Sequence, residues 1–121
     1  MPTVLIVDDS PTVRQQLRIA LTQGGFEVVE APDGQAGAET IEGRDDIALV
    51  ICDVNMPRMN GLQMLERVKG GGQRPGLPVV MLTTEGDPAL IKRAKRAGAK
   101  GWIVKPFQAG QLITAAKKLA A

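Results

Sequence analysis

Ala48-Leu49-Val50-Ile51-Cys52-Asp53-Val54-Asn55-Met56-Pro57-Arg58-Met59-Asn60-Gly61 is the stretch from which the fold of this 121-residue chain is read. Five apolar residues in a row, too few for a helix of their own, predict a strand buried on both faces, and the run ends on a carboxylate. Pro57 cannot continue a central strand, and Asn60-Gly61 is a turn pair that also suits the start of a helix. Asp53 is therefore expected on a strand-to-helix rim, the edge at which open α/β sheets bind ligands.

The rest of the chain repeats that design. Val4-Leu5-Ile6-Val7 runs into Asp8-Asp9, followed by Ser10 as an expected helix N-cap and Pro11 at the first helical position, where its missing N–H costs nothing. Val13, Leu17, Ala20 and Leu21 follow at helical spacing until Gly24-Gly25 stops the helix. Phe26 to Ala31 is rich in strand formers, Pro32-Asp33-Gly34 reads as a turn, and Gln35 to Glu42 as a weaker helix carried by Ala36, Ala38 and Ile41. After the third strand, Leu62, Met64, Leu65 and Val68 mark a helix ended by Gly70-Gly71-Gly72, and Gln73 to Pro78 is a loop.

Val79-Val80-Met81-Leu82 is the fourth strand, leading into Thr83-Thr84-Glu85, and Asp87-Pro88 repeats the cap-and-proline pattern. Leu90, Ile91, Ala94 and Ala97 carry the next helix, which Gly98 closes. Gly101-Trp102-Ile103-Val104 is the fifth strand, with Lys105-Pro106-Phe107 at its end, and Leu112, Ile113, Ala116 and Leu119 stripe the last helix. Five strands alternating with five helices predict an α/β fold, a doubly wound parallel sheet covered on both faces. The length suits one domain spanning residues 1–121, large enough for a core without disulfides or a structural metal.

With 44% hydrophobic and 23% charged residues the composition is that of a globular protein, and the longest apolar runs are far too short to cross a bilayer. The N-terminus lacks the basic and apolar stretches of a secretory signal, so a cytosolic location is expected. The single cysteine, Cys52, cannot form an internal disulfide, and a small core residue is favoured over a redox thiol. The net charge of +2 conceals an asymmetry: residues 1–87 carry 7 Lys/Arg against 13 Asp/Glu, whereas residues 88–121 carry 8 Lys/Arg and no acid. The bland reading is two solvated helix faces, and the functional one a docking surface for an acidic partner.

Asp8 and Asp9 stand at one strand end and Asp53 at another. If those strands are neighbours the carboxylates converge, and a hard divalent cation relieves their repulsion most simply. Magnesium fits, because it takes few protein oxygens and keeps waters for a substrate phosphate. Thr83 and Lys105 add a hydroxyl and an ammonium at two further strand ends. Together these groups offer a phosphoryl group a nucleophile, charge neutralisation and a hydrogen bond. Taken singly, Lys105 reads as a surface charge and Thr83 as a turn residue. The isomer of the Lys105-Pro106 bond is left open.

Val7-Asp8-Asp9, Asp53 through Pro57 with Gly61, Leu82-Thr83, and Ala97-Gly98-Ala99 through Lys105-Pro106-Phe107, all in order across nearly the whole chain, strongly resemble the receiver domain of two-component response regulators. The resemblance implies a flavodoxin-like sheet of order 2-1-3-4-5. It implies that Asp53 accepts phosphoryl from a histidine kinase, with magnesium held by Asp8, Asp9, Asp53 and the backbone carbonyl of Asn55. Lys105 would pair with the phosphate and Thr83 would donate to it, vacating space for the aromatic residue three positions before the lysine. That residue is Trp102, where the family more often has Tyr or Phe. Asn55 and Glu85 fall at positions that tune phosphate loss, and with them the chain is similar to the stand-alone chemotaxis type.

Because the chain stops at its last helix, no output domain is expected and the signal leaves through a protein-binding surface. The expected face comprises Lys92, Arg93, Lys95, Arg96, Lys100, Trp102, Lys117 and Lys118, which suits an acidic partner segment; no nucleic acid or membrane is implied. A phosphorelay intermediate and a phosphorylation-independent scaffold are variants of this reading. A phosphatase of the haloacid-dehalogenase class is the enzyme alternative, but Asn55 stands where that class needs a second Asp as general acid.

Overall fold

The computed structural model describes residues 1–54, 59–70, 76–83 and 88–120. Its elements alternate as expected: β1 (Thr3–Val7), α1 (Pro11–Gln23), β2 (Glu27–Ala31), α2 (Gly34–Gly43), β3 (Ile47–Asp53), α3 (Gly61–Gly70), β4 (Val79–Thr83), α4 (Pro88–Arg96), β5 (Gly101–Val104) and α5 (Ala109–Leu119). The strands pair in parallel in the order β2-β1-β3-β4-β5, the order that the resemblance implies.

The helix starts follow from side chains that satisfy backbone N–H groups having no partner of their own in the first turn. Ser10 Oγ accepts from the Val13 N–H at 3.3 Å, and Pro11 opens α1. Asp33 is a cap as well as a turn residue: its Oδ1 accepts from the Ala36 N–H at 2.8 Å, so α2 starts at Gly34, one residue earlier than the sequence pattern suggests. Asn60 and Gln63 exchange bonds, each side chain accepting from the other's backbone N–H at 2.9 Å, which fixes the entry to α3.

Alternation along the strands sorts the core into two layers. Leu5, Val7, Val50, Cys52, Val79 and Met81 meet Ala38 and Ile41 of α2, Leu62, Met64, Leu65 and Val68 of α3, and Ala94 of α4. On the opposite face Val4, Ile6, Leu49, Ile51, Val80, Leu82 and Ile103 meet Leu17, Ala20 and Leu21 of α1 and Leu112 and Ala116 of α5. β1, β3 and β4 are buried along almost their whole length, as their continuous apolar runs require. β2 is an edge strand with Glu27 and Glu30 exposed, so its pattern is less clean. Phe26 is buried but precedes this strand. Among the described residues no helix is long and apolar enough to cross a membrane.

Candidate functional site

The strands bearing the three acids are neighbours. The register aligns Val7 with Cys52, so Asp8 follows directly beside Asp53 at the carboxyl end of the sheet. Asp8, Asp9 and Asp53 each present a carboxylate oxygen, and these oxygens all lie within 4.8 Å of one another. Asp8 is fully buried, Asp53 is 5% exposed and Asp9 faces solvent.

Lys105 enters from the end of β5. Its backbone N–H donates to the Thr83 carbonyl at 2.6 Å, its bond to Pro106 is cis, and its Nζ lies 3.1 Å from Asp8 Oδ2 and 3.3 Å from Asp53 Oδ2. Burial pushes the ammonium pKa down, but the hydrogen bond to Asp8 and the charges of Asp53 and Asp8 more than reverse this, leaving it above the ordinary lysine value. One of the eight basic residues in the last third of the chain is thereby turned toward the acids.

The backbone around the cluster is fixed with equal care. The Asp8 N–H donates to Ala31 O at 3.2 Å, its Oδ1 accepts from the Ser10 N–H at 2.9 Å, and its carbonyl accepts from Arg14 Nη1 at 2.6 Å. The Val54 N–H donates to Leu82 O, and the Gly61 N–H to Val54 O, both at 3.0 Å. A Cβ on Gly61 would lie 2.2 Å from the Asp53 carbonyl oxygen, so only glycine lets α3 start this close to the end of β3. Cys52 is fully buried, and burial, then the charges of Asp53 and Asp8, push its thiol pKa well up, so it is the core residue expected rather than a reactive thiol.

Thr83 is fully buried at the end of β4, on the rim next to Asp53. Trp102 on β5 is half-buried against the layer under α2, α3 and α4, and its Nε1 is buried without a hydrogen-bond partner among the described residues. Beside it is a small cleft of about 70 Å³ lined in part by Ile91, Lys95 and Lys100. Lys92, Lys95, Arg96, Lys100, Lys117 and Lys118 are exposed as expected for an outer face. Arg93 is exposed too but pairs with Glu66 of α3 at 2.9 Å, which ties it to the side of α4 toward α3. Asn55 and Glu85 lie outside the described residues, as do Met56, Pro57 and the Asp87 cap.

The donor set is hard and anionic: of three carboxylates, Asp8 and Asp53 share one ammonium, which leaves net negative charge suited to a hard divalent cation. Arg14 and its partner Glu30 were not legible as site residues. Their only sequence trace is an arginine on the first turns of α1 and a glutamate at the end of an edge strand.

The profile of the response regulator receiver domain matches residues 4–117. Chemotaxis protein CheY1 of Helicobacter pylori is 39% identical over 105 residues, 86% of this chain and 85% of that protein. A CheY homolog of Campylobacter jejuni is 38% identical over 86% of this chain and 81% of its own. The crystallised chemotaxis protein CheY4 of Vibrio cholerae superposes with a TM-score of 0.91 at 36% identity, covering 98% of each chain. A parallel sheet in the order 2-1-3-4-5, acids from β1 and β3 on one rim with a lysine between them, and likeness over nearly its whole length leave one conclusion: the chain belongs to the response regulator receiver domain family.

Proposed function

We propose that this receiver takes a phosphoryl group from a histidine kinase onto Asp53 and passes the signal on by docking to another protein. The observation that carries the reading is the convergence at one rim of Asp8, Asp9 and Asp53 within 4.8 Å, with Lys105 bridging two of them. An Asp53 carboxylate oxygen attacks phosphorus, the P–N bond of the donor phosphohistidine breaks, its electron pair stays with the imidazole, and an acyl phosphate forms. Attack of water on that phosphorus later returns the free carboxylate and inorganic phosphate. Lys105, already beside Asp53, pairs with the phosphoryl oxygens, and the buried Thr83 hydroxyl donates to one of them.

Asp8, Asp9, Asp53 and the Asn55 carbonyl would hold magnesium, which when bound supplies positive charge to the phosphoryl oxygens. Asn55 and Glu85 set how fast the phosphate is lost. Phosphorylation can only shift the balance of two conformations by binding one better, and Trp102 reports that shift at the surface. The exposed bases Lys92, Lys95, Arg96, Lys100, Lys117 and Lys118, with Arg93 at their margin, suit an acidic segment of the target. The chemotaxis relatives support an output in motility. The receiver assists its own phosphorylation and dephosphorylation, and turns over no external substrate.

Intact-mass analysis with magnesium and a small-molecule phosphodonor tests the reading. Wild type gains the mass of one phosphoryl group and Asp53→Asn does not. A wild type that gains none, or a mutant that gains as much, overturns it.

A further inference from the structure

We propose that Arg14 is a positioning residue for the acid cluster: it holds the peptide group between Asp8 and Asp9 and so sets the place from which the Asp9 carboxylate reaches into the site. The inference rests on the reading of that cluster as a magnesium site. Arg14 Nη1 donates to the Asp8 carbonyl at 2.6 Å, while Nε of the same guanidinium donates to Glu30 Oε1 at 3.1 Å. The other oxygen of Glu30 accepts from Arg18 Nε at 2.6 Å. A guanidinium is a rigid planar fork, so anchoring one edge on Glu30 fixes the direction of the other.

The consequence travels through covalent geometry. A peptide group is planar, so fixing the Asp8 carbonyl also fixes the nitrogen and Cα of Asp9. Asp8 needs no such help with its side chain, which the Ser10 N–H and Lys105 already hold. Asp9 is exposed, and no hydrogen bond or ion pair holds its carboxylate among the described residues, so the backbone alone fixes the point from which it reaches. Glu30 and Ala31 lie at the end of β2, and the Asp8 N–H bond to Ala31 O completes the frame. The first acid pair is thus held by α1 and an edge strand, neither of which supplies a ligand.

Charge and position make opposite forecasts for this residue, and that makes the inference testable. Arg14 is a cation near a cation site, so on charge alone its removal tightens magnesium binding. On position, its removal loosens Asp9 and weakens binding. Magnesium affinity is measured by calorimetry on the full chain for wild type, Arg14→Met, Arg14→Lys and Arg18→Met, with thermal melts confirming that each is folded. We expect the dissociation constant to rise about tenfold in Arg14→Met, the range seen when groups that orient metal ligands are removed. Arg14→Lys, which keeps the charge but loses the fork, rises less. Arg18→Met, which removes a cation paired with the Glu30 oxygen that Arg14 does not use, leaves binding unchanged or slightly tighter. If Arg14→Met does not fold, Arg14→Lys decides. Unchanged or tighter binding in the Arg14 variants, with wild type binding normally, overturns the inference alone. A wild type that binds no magnesium overturns the metal reading and the inference with it.

Discussion

Asp8, at the carboxyl rim of the sheet, and Trp102, near the start of β5, both have enclosed polar atoms, and the protein treats them in opposite ways. Every polar atom of Asp8 is engaged: the N–H by Ala31, the carbonyl by Arg14, one carboxylate oxygen by the Ser10 N–H and the other by Lys105. The one polar side-chain atom of Trp102, its indole nitrogen, is buried without a partner among the described residues. An unsatisfied buried donor costs about 1–3 kcal/mol, so the ring is held where it lies by packing and against the demand of its N–H. The β1–β3 end is held through every polar atom of Asp8, whereas hydrogen bonding does nothing to hold the Trp102 ring. A switch needs both, a fixed site where charge is exchanged and a neighbouring element with two positions that the charge can bias.

The largest expected effect comes from breaking the β1–β3 end at its tightest point. Gly61→Ala places a Cβ 2.2 Å from the Asp53 carbonyl, backbone against backbone, where no side chain can turn aside. We expect a loss of about 3 kcal/mol in urea unfolding, and a loss below about 1 kcal/mol would show that the entry to α3 is not fixed by β3.

Next comes the ion bridge. Lys105→Met leaves the buried Asp8 and Asp53 facing each other without their cation, and should cost about 2 kcal/mol at neutral pH, less than a fully enclosed pair because Lys105 keeps some contact with water. The pKa of Lys105 is raised on folding, so its contribution is complete below the unfolded value and is lost as pH rises through the folded one. The stability difference between wild type and variant should therefore hold through the neutral range and shrink only above the ordinary lysine value of 10.5. A difference that faded between pH 6 and 9 would contradict a role for the ammonium.

The smallest effect belongs to the β5 end. Trp102→Phe removes the orphaned donor and keeps a ring, so we expect a cost under about 1 kcal/mol, despite the lost apolar area. A cost near that of Gly61→Ala would mean that Trp102 is held as firmly as Asp8, and the contrast would fail.

The parts of this arrangement differ in how they are written into the sequence. Strands buried on both faces leave continuous apolar runs, so β1, β3 and β4 were legible, as were the acids that end two of them. Ser10-Pro11 announced α1 because a cap and an N1 proline have local chemistry. The neighbouring of β1 and β3 is a long-range fact that no local run encodes, and only the likeness to receivers supplied it. Asn60-Gly61 signals both a turn and a helix start, while the reciprocal cap shows only in the spacing of Asn60 and Gln63. Arg14 was illegible for a deeper reason: its partner on Asp8 is a backbone carbonyl, which every residue has. The closeness of Gly61 to Asp53 is likewise a property of two backbones, and shows in the sequence only as a glycine after a turn.

The most direct test of the contrast uses the only tryptophan as its own reporter. Trp102 fluorescence is recorded as magnesium and then beryllofluoride, which stands in for the phosphoryl group, are added to wild type and to Asp53→Asn. A change on magnesium followed by a second change that the mutant lacks is the result the account predicts, because the fixed end would bind and the β5 end would answer. A wild type that binds both additions by calorimetry while Trp102 stays silent would contradict it.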